Sequence, residues 1–221
     1  MNYKTLEERQ TNVAEVVGTI SKLPTVTHEI EGERFLDFEV EVERLSKAKD
    51  IIPVTISERS MGTKEFKLGD RVLLFGQYRS HNKNVDDRNK LILHFFAKDI
   101  EKTDEQDKND VKLTGFICKP PVYRTTPFNR EICDILLAVN RPNNHRSDYI
   151  PCILWGRNAR FIADQSVGTK IETKGRIQSR IYTKKLENGE VEERTAFEVS
   201  CDFVAIVEKS KHQDDLGKEI I

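Results

Sequence analysis

The chain repeats itself. FEVEVER at 38–44 is answered 97 residues on by ILLAVNR at 135–141, and DIIPVTI at 50–56 is answered 98 residues on by DYIPCIL at 148–154. LGDRVLLFGQYRS at 68–80 is answered 99 residues on by VGTKIETKGRIQS at 167–179. HFFAKDIE at 94–101 is matched more loosely, 104 residues on, by EVSCDFVA at 198–205. The order is kept and the offset grows slowly, as small loop insertions in one of two copies of a domain would make it. KTDEQDKND at 102–110 is charged, has no apolar residue and reads as a linker. The expected division is therefore a first domain at 1–101, a linker at 102–110, a second domain at 111–208 and a short polar tail at 209–221.

Each copy has the same grammar. A strand with an early glycine (VVGTI, KLTGFI) is followed by a strand ending in Arg (LDFEVEVER, CDILLAVNR). A polar loop leads to a third strand (IIPVTI, YIPCILW), then a short helical stretch, clearest as RNARFIADQ at 157–165, where Ala159, Phe161, Ile162 and Ala163 are placed to face a core. A glycine closes that stretch and a fourth strand begins at once. A hairpin then leads to a fifth, and Asn188-Gly189 in the second hairpin signals a type I′ turn. Five short strands with one helix between the third and fourth is the grammar of the OB-fold, a five-stranded Greek-key barrel. The expected fold is all-β with one short helix per domain: two OB-fold barrels in tandem.

Composition excludes several functions. The longest apolar runs, such as DILLAVN at 134–140, are too short to span a bilayer, and the N-terminus has no apolar stretch of the secretory kind. The four cysteines are far apart and form no CxxC pair, which reads as reduced thiols in a cytoplasmic protein, and the five histidines do not supply zinc-ligand spacing. No phosphate-binding loop, dinucleotide loop or nucleophile motif is present, and Asp148, Asp164 and Asp202 fall on separate elements rather than in a metal-binding cluster. No catalytic residue, metal or cofactor is expected. The net charge is only −1, but residues 111–185 hold 14 basic and 5 acidic residues, an excess of nine positive charges. A basic segment of that kind suits a surface that tracks phosphates.

The third strand of the second copy, SDYIPCILW, has apolar residues on both faces. Ile150, Cys152 and Leu154 are of a size to fill a narrow barrel, which leaves Tyr149, Ile153 and Trp155 on the outer face. Trp155, the single Trp, either packs beneath the following helix or stands on that face, where a base can stack on it. Arg141, Arg146, Arg176, Arg180, Lys184 and Lys185 fall in the loop and strands that flank the groove of an OB-fold, and YRTTPFNR at 123–130 adds Tyr123, Arg124 and Arg130.

With these residues in place, the second half resembles the bacterial single-stranded DNA-binding protein family. LTGFICKPPVYRTTPFNREICDILLAVNR resembles its first two strands, SDYIPCILWGRNARFIADQSVGTKIETKGRIQSRIY its third strand, helix and fourth strand, and VSCDFVAIVE its closing strand. The resemblance covers about 95 residues; the first half shares only the skeleton, through Gly18, FEVEVER, GDRVLLFGQY and AKDIE. It implies sequence-independent binding and protection of single-stranded DNA in replication, recombination or repair. Stacking would fall to Tyr149, Trp155 and Tyr182, and phosphate contact to Arg124, Arg176 and Arg180. It also implies a homodimer presenting four barrels. Family members commonly end in an acidic tip that recruits replication and repair proteins; here the tail closes on DDLGKEII, so that recruitment is not expected to follow the family pattern.

The first copy departs from the second. Ser57 stands in the place of Trp155 and Ile51 in that of Tyr149, and Glu39, Glu41 and Glu43 form an acidic stripe set to repel phosphate. Tyr78, Arg79, His81 and Lys83 remain as weaker candidate contacts. The first domain is expected to bind DNA weakly and to serve mainly in dimerisation. The alternative expectation is a primosomal or recombination accessory protein of the same fold, acting through RNA or a protein partner.

Overall fold

A computed structural model of the chain describes residues 10–85, 88–142, 146–185, 189 and 191–208. The first five strands are β1 (Asn12–Ile30), β2 (Glu33–Glu43), β3 (Lys49–Ser57), β4 (Arg71–Val85) and β5 (Arg88–Lys102), with a single-turn helix α1 (Glu58–Met61) between β3 and β4. They close in the order β1-β2-β3-β5-β4-β1. The second set is β6 (Lys108–Ile117), β7 (Val122–Thr125), β8 (Glu131–Asn140), β9 (Ser147–Trp155), helix α2 (Gly156–Ala163), β10 (Lys170–Lys185) and β11 (Val191–Glu208). It closes in the equivalent order β6-β8-β9-β11-β10-β6, with β7 added outside on β8. The parallel pairs β3–β5 and β9–β11, each bridged through a helix, complete two OB-fold barrels.

Alternation builds each core. Ile150, Cys152 and Leu154 of β9 are buried, as are Ile52, Val54 and Ile56 of β3. In α2, Ala159 and Ile162 are buried and Ala163 packs against the core, whereas Phe161, expected inside, is exposed. Ile153, expected on the open outer face, is covered. Tyr78 is fully buried: Val72, Leu74, Gly76 and Tyr78 alternate inward along β4, so Tyr78 is a core residue and cannot stack a base. The linker is shorter than the charge pattern suggests, because β6 begins at Lys108. Asn188 of the second hairpin and the tail 209–221 lie outside the described residues.

The fourth strand of each barrel bends sharply at a glycine. Register shifts fall at Phe75/Gly76 and Lys174/Gly175. A Cβ on Gly76 would sit 2.1 Å from the carbonyl oxygen of Phe96, and one on Gly175 2.1 Å from that of Ser200, so only glycine lets the backbones approach. Beyond each bend the first strand no longer reaches, and an asparagine side chain takes over. Asn12 accepts from the Tyr78 N–H at 2.9 Å and donates to its carbonyl at 2.6 Å; Asn109 does both for Ile177 at 2.8 Å.

The two barrels share one sheet. β1 pairs antiparallel with β6, and Ala14 lies opposite Val111, its counterpart 97 residues on. Equivalent residues thus meet at the centre of the junction, as in an isologous dimer. Two buried aspartates fasten it. Asp148 of β9 accepts the Ser80 N–H of the first barrel at 2.7 Å and is gripped by Arg141 at 2.6 and 2.9 Å, while Arg141 also donates to the Ser80 carbonyl. Asp50 of β3 accepts the Ser179 N–H of the second barrel at 2.8 Å and is gripped by Arg44, which donates to the Ser179 carbonyl. Each serine hydroxyl accepts a backbone N–H from the residue after the aspartate, Tyr149 for Ser80 and Ile51 for Ser179.

Removing one partner of a buried ion pair strands the other, at a cost of about 3–5 kcal/mol. Asp148→Ala is expected to lower stability by that order, with Arg141 left without its counter-ion and the Ser80 N–H unsatisfied. A shift of the urea midpoint no larger than that of an exposed control, Asp110→Ala, would count against the lock.

Candidate nucleic-acid interface

The outer face of the second barrel brings together β9, β10 and β11. Trp155, half-buried, ends β9 where Gly156 turns the chain into α2 with φ 53°. Its indole N–H donates to the Ser200 hydroxyl at 3.1 Å, which ties the half-buried ring to β11. Beside it is a hollow of about 430 Å³ lined by Asp110, Asn158, Gly175, Arg176, Ser200 and Asp202. Tyr149, further down β9, is exposed, and the Ser80 hydroxyl holds its backbone. On β10, Arg180 lies 5.8 Å from the ring centre of the exposed Tyr182. Glu198 of β11 accepts from Gln178 at 3.0 Å and lies 4.0 Å from Arg180. Burial raises its pKa, against the opposing pull of Arg180.

The expected cations divide into two groups. Arg141 is engaged at the barrel junction, bonded to Asp148 and the Ser80 carbonyl. Arg176 is shared: it reaches Asp50 of the first barrel at 3.2 Å and Gln178 at 2.8 Å, yet its side chain also walls the hollow beside Trp155. Arg124 pairs with Asp134 at 2.6 Å on the outer surface, held there by β7. Arg146 is exposed, and its carbonyl accepts the Arg141 N–H. Lys184 pairs with Glu192 in the β10–β11 ladder, and its side chain lies outside the described residues.

The first barrel is not the acidic surface its sequence suggests. Glu39, Glu41 and Glu43 each carry a lysine, Lys22 at 3.5 Å, Lys49 at 2.7 Å and Lys47 at 2.7 Å. Of the expected contacts there, Lys83 is exposed on β4, Arg79 lies 3.7 Å over the centre of Phe96, and His81 meets His94 edge-on at 5.3 Å. Phe35, Phe96, His28 and His94 were not singled out by sequence. Their signal was present, since His94 and Phe96 alternate with the core residues Leu93 and Phe95, which puts both on the outer face. Among the described residues, no three His, Cys, Asp or Glu side chains converge as metal ligands.

Tandem OB-fold barrels with aromatic and cationic side chains along their outer faces define a nucleic-acid-binding type of scaffold. The profile of the Single-strand binding protein family matches residues 108–207, the second barrel. The chain is 34% identical over 116 residues to single-stranded DNA-binding protein 1 of Staphylococcus aureus (strain COL), covering 50% of this chain and 67% of that one. It is 34% identical over 111 residues to single-stranded DNA-binding protein 1 of Lactococcus lactis subsp. lactis (strain IL1403), covering 48% and 71%. The chain belongs to the single-strand binding protein family. A crystal structure of the wild-type single-stranded DNA binding protein from Thermus aquaticus superposes with a TM-score of 0.70 over 90% of this chain and 94% of that one, at 18% identity. The tandem fold is thus shared along both barrels.

Burial lowers the pKa of His94 from 6.5 to about 4, and the neighbouring His81 adds to the effect. The unfolded chain therefore takes up a proton near pH 6.5 that the folded chain refuses until about pH 4. Stability is full above that window and falls as pH drops through it. The loss between pH 7 and pH 4 is expected to be on the order of 2–3 kcal/mol. Urea unfolding at both pH values measures it, and His94→Gln is expected to remove most of the difference.

Proposed function

We propose that the chain binds single-stranded DNA without sequence preference across the outer face of its second barrel, as a binding rather than a catalytic protein. The observation that carries this reading is Trp155, held half-exposed by Ser200 beside a hollow walled by Arg176. A ring fixed by its polar edge leaves a flat apolar face for a base, and each stacked base contributes about 1–3 kcal/mol whatever its identity. Tyr149 and Tyr182 extend the row, and Arg180, Arg176 and Arg124 supply cations for phosphates. Arg124 and Arg180 would exchange their carboxylate neighbours, Asp134 and Glu198, for phosphate on binding.

The role that follows is to hold DNA extended and shielded during replication, recombination or repair. Two copies would present four barrels. The six-stranded sheet β5-β4-β1-β6-β10-β11 supports that assembly: Phe75 lies opposite Glu15 and Phe203 opposite Lys174 on its outward face, 41% and 43% exposed. Phe75→Glu combined with Phe203→Glu is expected to convert a dimer to a monomer in sedimentation; a wild-type chain that sediments as a monomer would count against the assembly.

Trp155 is the single indole, so its fluorescence reports one position. Titration with oligo-dT is expected to quench it strongly at low salt. The quench should reverse as salt rises, because each phosphate contact releases counterions. Binding detected by another method with Trp155 unmoved would remove the stacking role, and no binding at all would remove the reading.

A further inference from the structure

We propose that Asp50 of the first barrel is a positioning residue for DNA binding by the second: it holds Arg176 beside Trp155 as a cation that a phosphate can reach, so that the binding face of one barrel is completed by the other. The proposal rests on the single-stranded DNA reading of the second barrel and names what fixes one of its cations.

The two halves of the junction are built alike. Asp50 corresponds to Asp148, Arg44 to Arg141 and Ser80 to Ser179, at offsets of 98, 97 and 99 residues. They part on the fourth strand, where the second barrel has Arg176 and the first has Gln77, 99 residues earlier. Among the described residues, Asp148 therefore pairs with one arginine, Arg141, whereas Asp50 pairs with Arg44 of its own barrel and with Arg176 of the other. A symmetric lock needs only the first kind of pair. The additional arginine on Asp50 is the part of the junction that also belongs to the outer face.

Asp50 fixes both the strand and the side chain. Its Oδ1 accepts the Ser179 N–H at 2.8 Å, and its Oδ2 accepts from Arg176 Nη1 at 3.2 Å and from Arg44 Nε at 2.7 Å. Gln178 accepts from the other Nη of Arg176 at 2.8 Å, so both ends of the guanidinium are set. The backbone between these contacts is held as well, because Asn109 bonds Ile177 in both directions. Arg176 lies opposite Ser200 in the β10–β11 register, and Ser200 accepts the Trp155 indole N–H. Cation and ring thus wall the same hollow from either side of β11.

The charges do not cancel. Two guanidinium groups on one carboxylate leave one positive charge over. Asp50 is 1% exposed, and of the two arginines Arg176 is the more open, 35% against 24%. A phosphate entering the hollow meets the surplus charge on Arg176 and not the carboxylate behind it. Burial lowers the pKa of Arg176 and the like charge of Arg44 lowers it further, while Asp50 opposes both. Without the carboxylate, two partly buried cations would face each other, and Arg176, on the open side, would swing away from Trp155. Asp110 and Asp202 also line the hollow, but among the described residues neither pairs with Arg176, so its place there depends on Asp50 and Gln178.

The pseudo-symmetry supplies the control. Asp50→Asn and Asp148→Asn remove the same charge from matched places in the junction, and each keeps an oxygen to accept the serine N–H. The full chain is titrated with oligo-dT of about 12 nucleotides, within the span of one barrel, and Trp155 fluorescence is read. Asp50→Asn is expected to weaken binding about tenfold, although it makes the chain more positive, and to lower the salt slope by about 0.7, the contribution of one phosphate contact. Asp148→Asn is expected to bind as the wild type does. Arg176→Gln should weaken binding as Asp50→Asn does, and combining the two should add no further loss. Equal affinities for the two aspartate variants, or additive losses in the double variant, overturn the proposal while the Trp155 quench of the wild type keeps the second-barrel reading; a wild-type chain that does not bind removes both. Should Asp50→Asn not fold, Arg44→Gln decides, because it leaves Asp50 to neutralise Arg176. It is expected to weaken binding about tenfold relative to Arg34→Gln, a charge-matched change at an exposed pair of the first barrel; equal binding by these two overturns the proposal.

Discussion

The pairing of β1 with β6, sealed by Asp50 and Asp148, is the constraint on which the rest of the molecule depends. A carboxylate taken out of water is costly unless every oxygen finds a partner. Here each one is met by an arginine of its own barrel and a backbone N–H of the other. Because the N–H belongs to the opposite barrel, neither aspartate is satisfied in a barrel standing alone. The cost of burying the charge is thereby converted into a preference for one relative orientation. That orientation sets the groove between the outer face of the first barrel and the long β10–β11 hairpin of the second.

The junction keeps the symmetry of two identical subunits, while the outer faces have lost it. Ala14 still meets its counterpart Val111, and Asn12, Asp50 and Ser80 still act as Asn109, Asp148 and Ser179 do. On the fourth strands, by contrast, the order is exchanged. The first barrel has Gln77 and Arg79, the second Arg176 and Gln178, and in each the arginine donates to the glutamine two residues away. The exchange moves the guanidinium by two positions along the strand. In the second barrel it reaches Asp50 of the first barrel; in the first it lies over Phe96. One repeat has thus placed its cation at the junction and the other on the surface.

Much of this was legible in the chain. The offset of about 97 residues, the early glycines, the strand grammar and the inward set Ile150, Cys152 and Leu154 all follow from period-two alternation and repetition, which are local. Tyr78 was legible too, since alternation from Val72 puts it inside; its neighbours Arg79 and His81 drew it to the surface. The division among the arginines was not legible. Arg141 follows the end of β8 and Arg176 lies within β10, and what separates both from Arg180 is a carboxylate or carbonyl on the other barrel, 61 residues from Arg141 and 126 from Arg176. No local pattern carries that information. The ring contact of the first barrel was hidden for a similar reason, since Phe35 of β2 and Phe96 of β5 come to 6.2 Å between centres only through the fold.

The charge of the first barrel shows how far composition can mislead. Three glutamates in alternation read as a repulsive stripe, yet each holds a lysine from its own or an adjoining strand or turn, so the stripe presents a nearly neutral lattice of exposed pairs. Such pairs contribute little to stability, about 0–1 kcal/mol each, and for that reason exchange partners readily. Arg79 is different. It is largely desolvated, fixed by Gln77 and set over a ring, so an anion that reaches it meets a positioned cation with part of its hydration already removed. Among the described cations of the first barrel that make no ion pair, Arg79 stands apart in being desolvated against a ring.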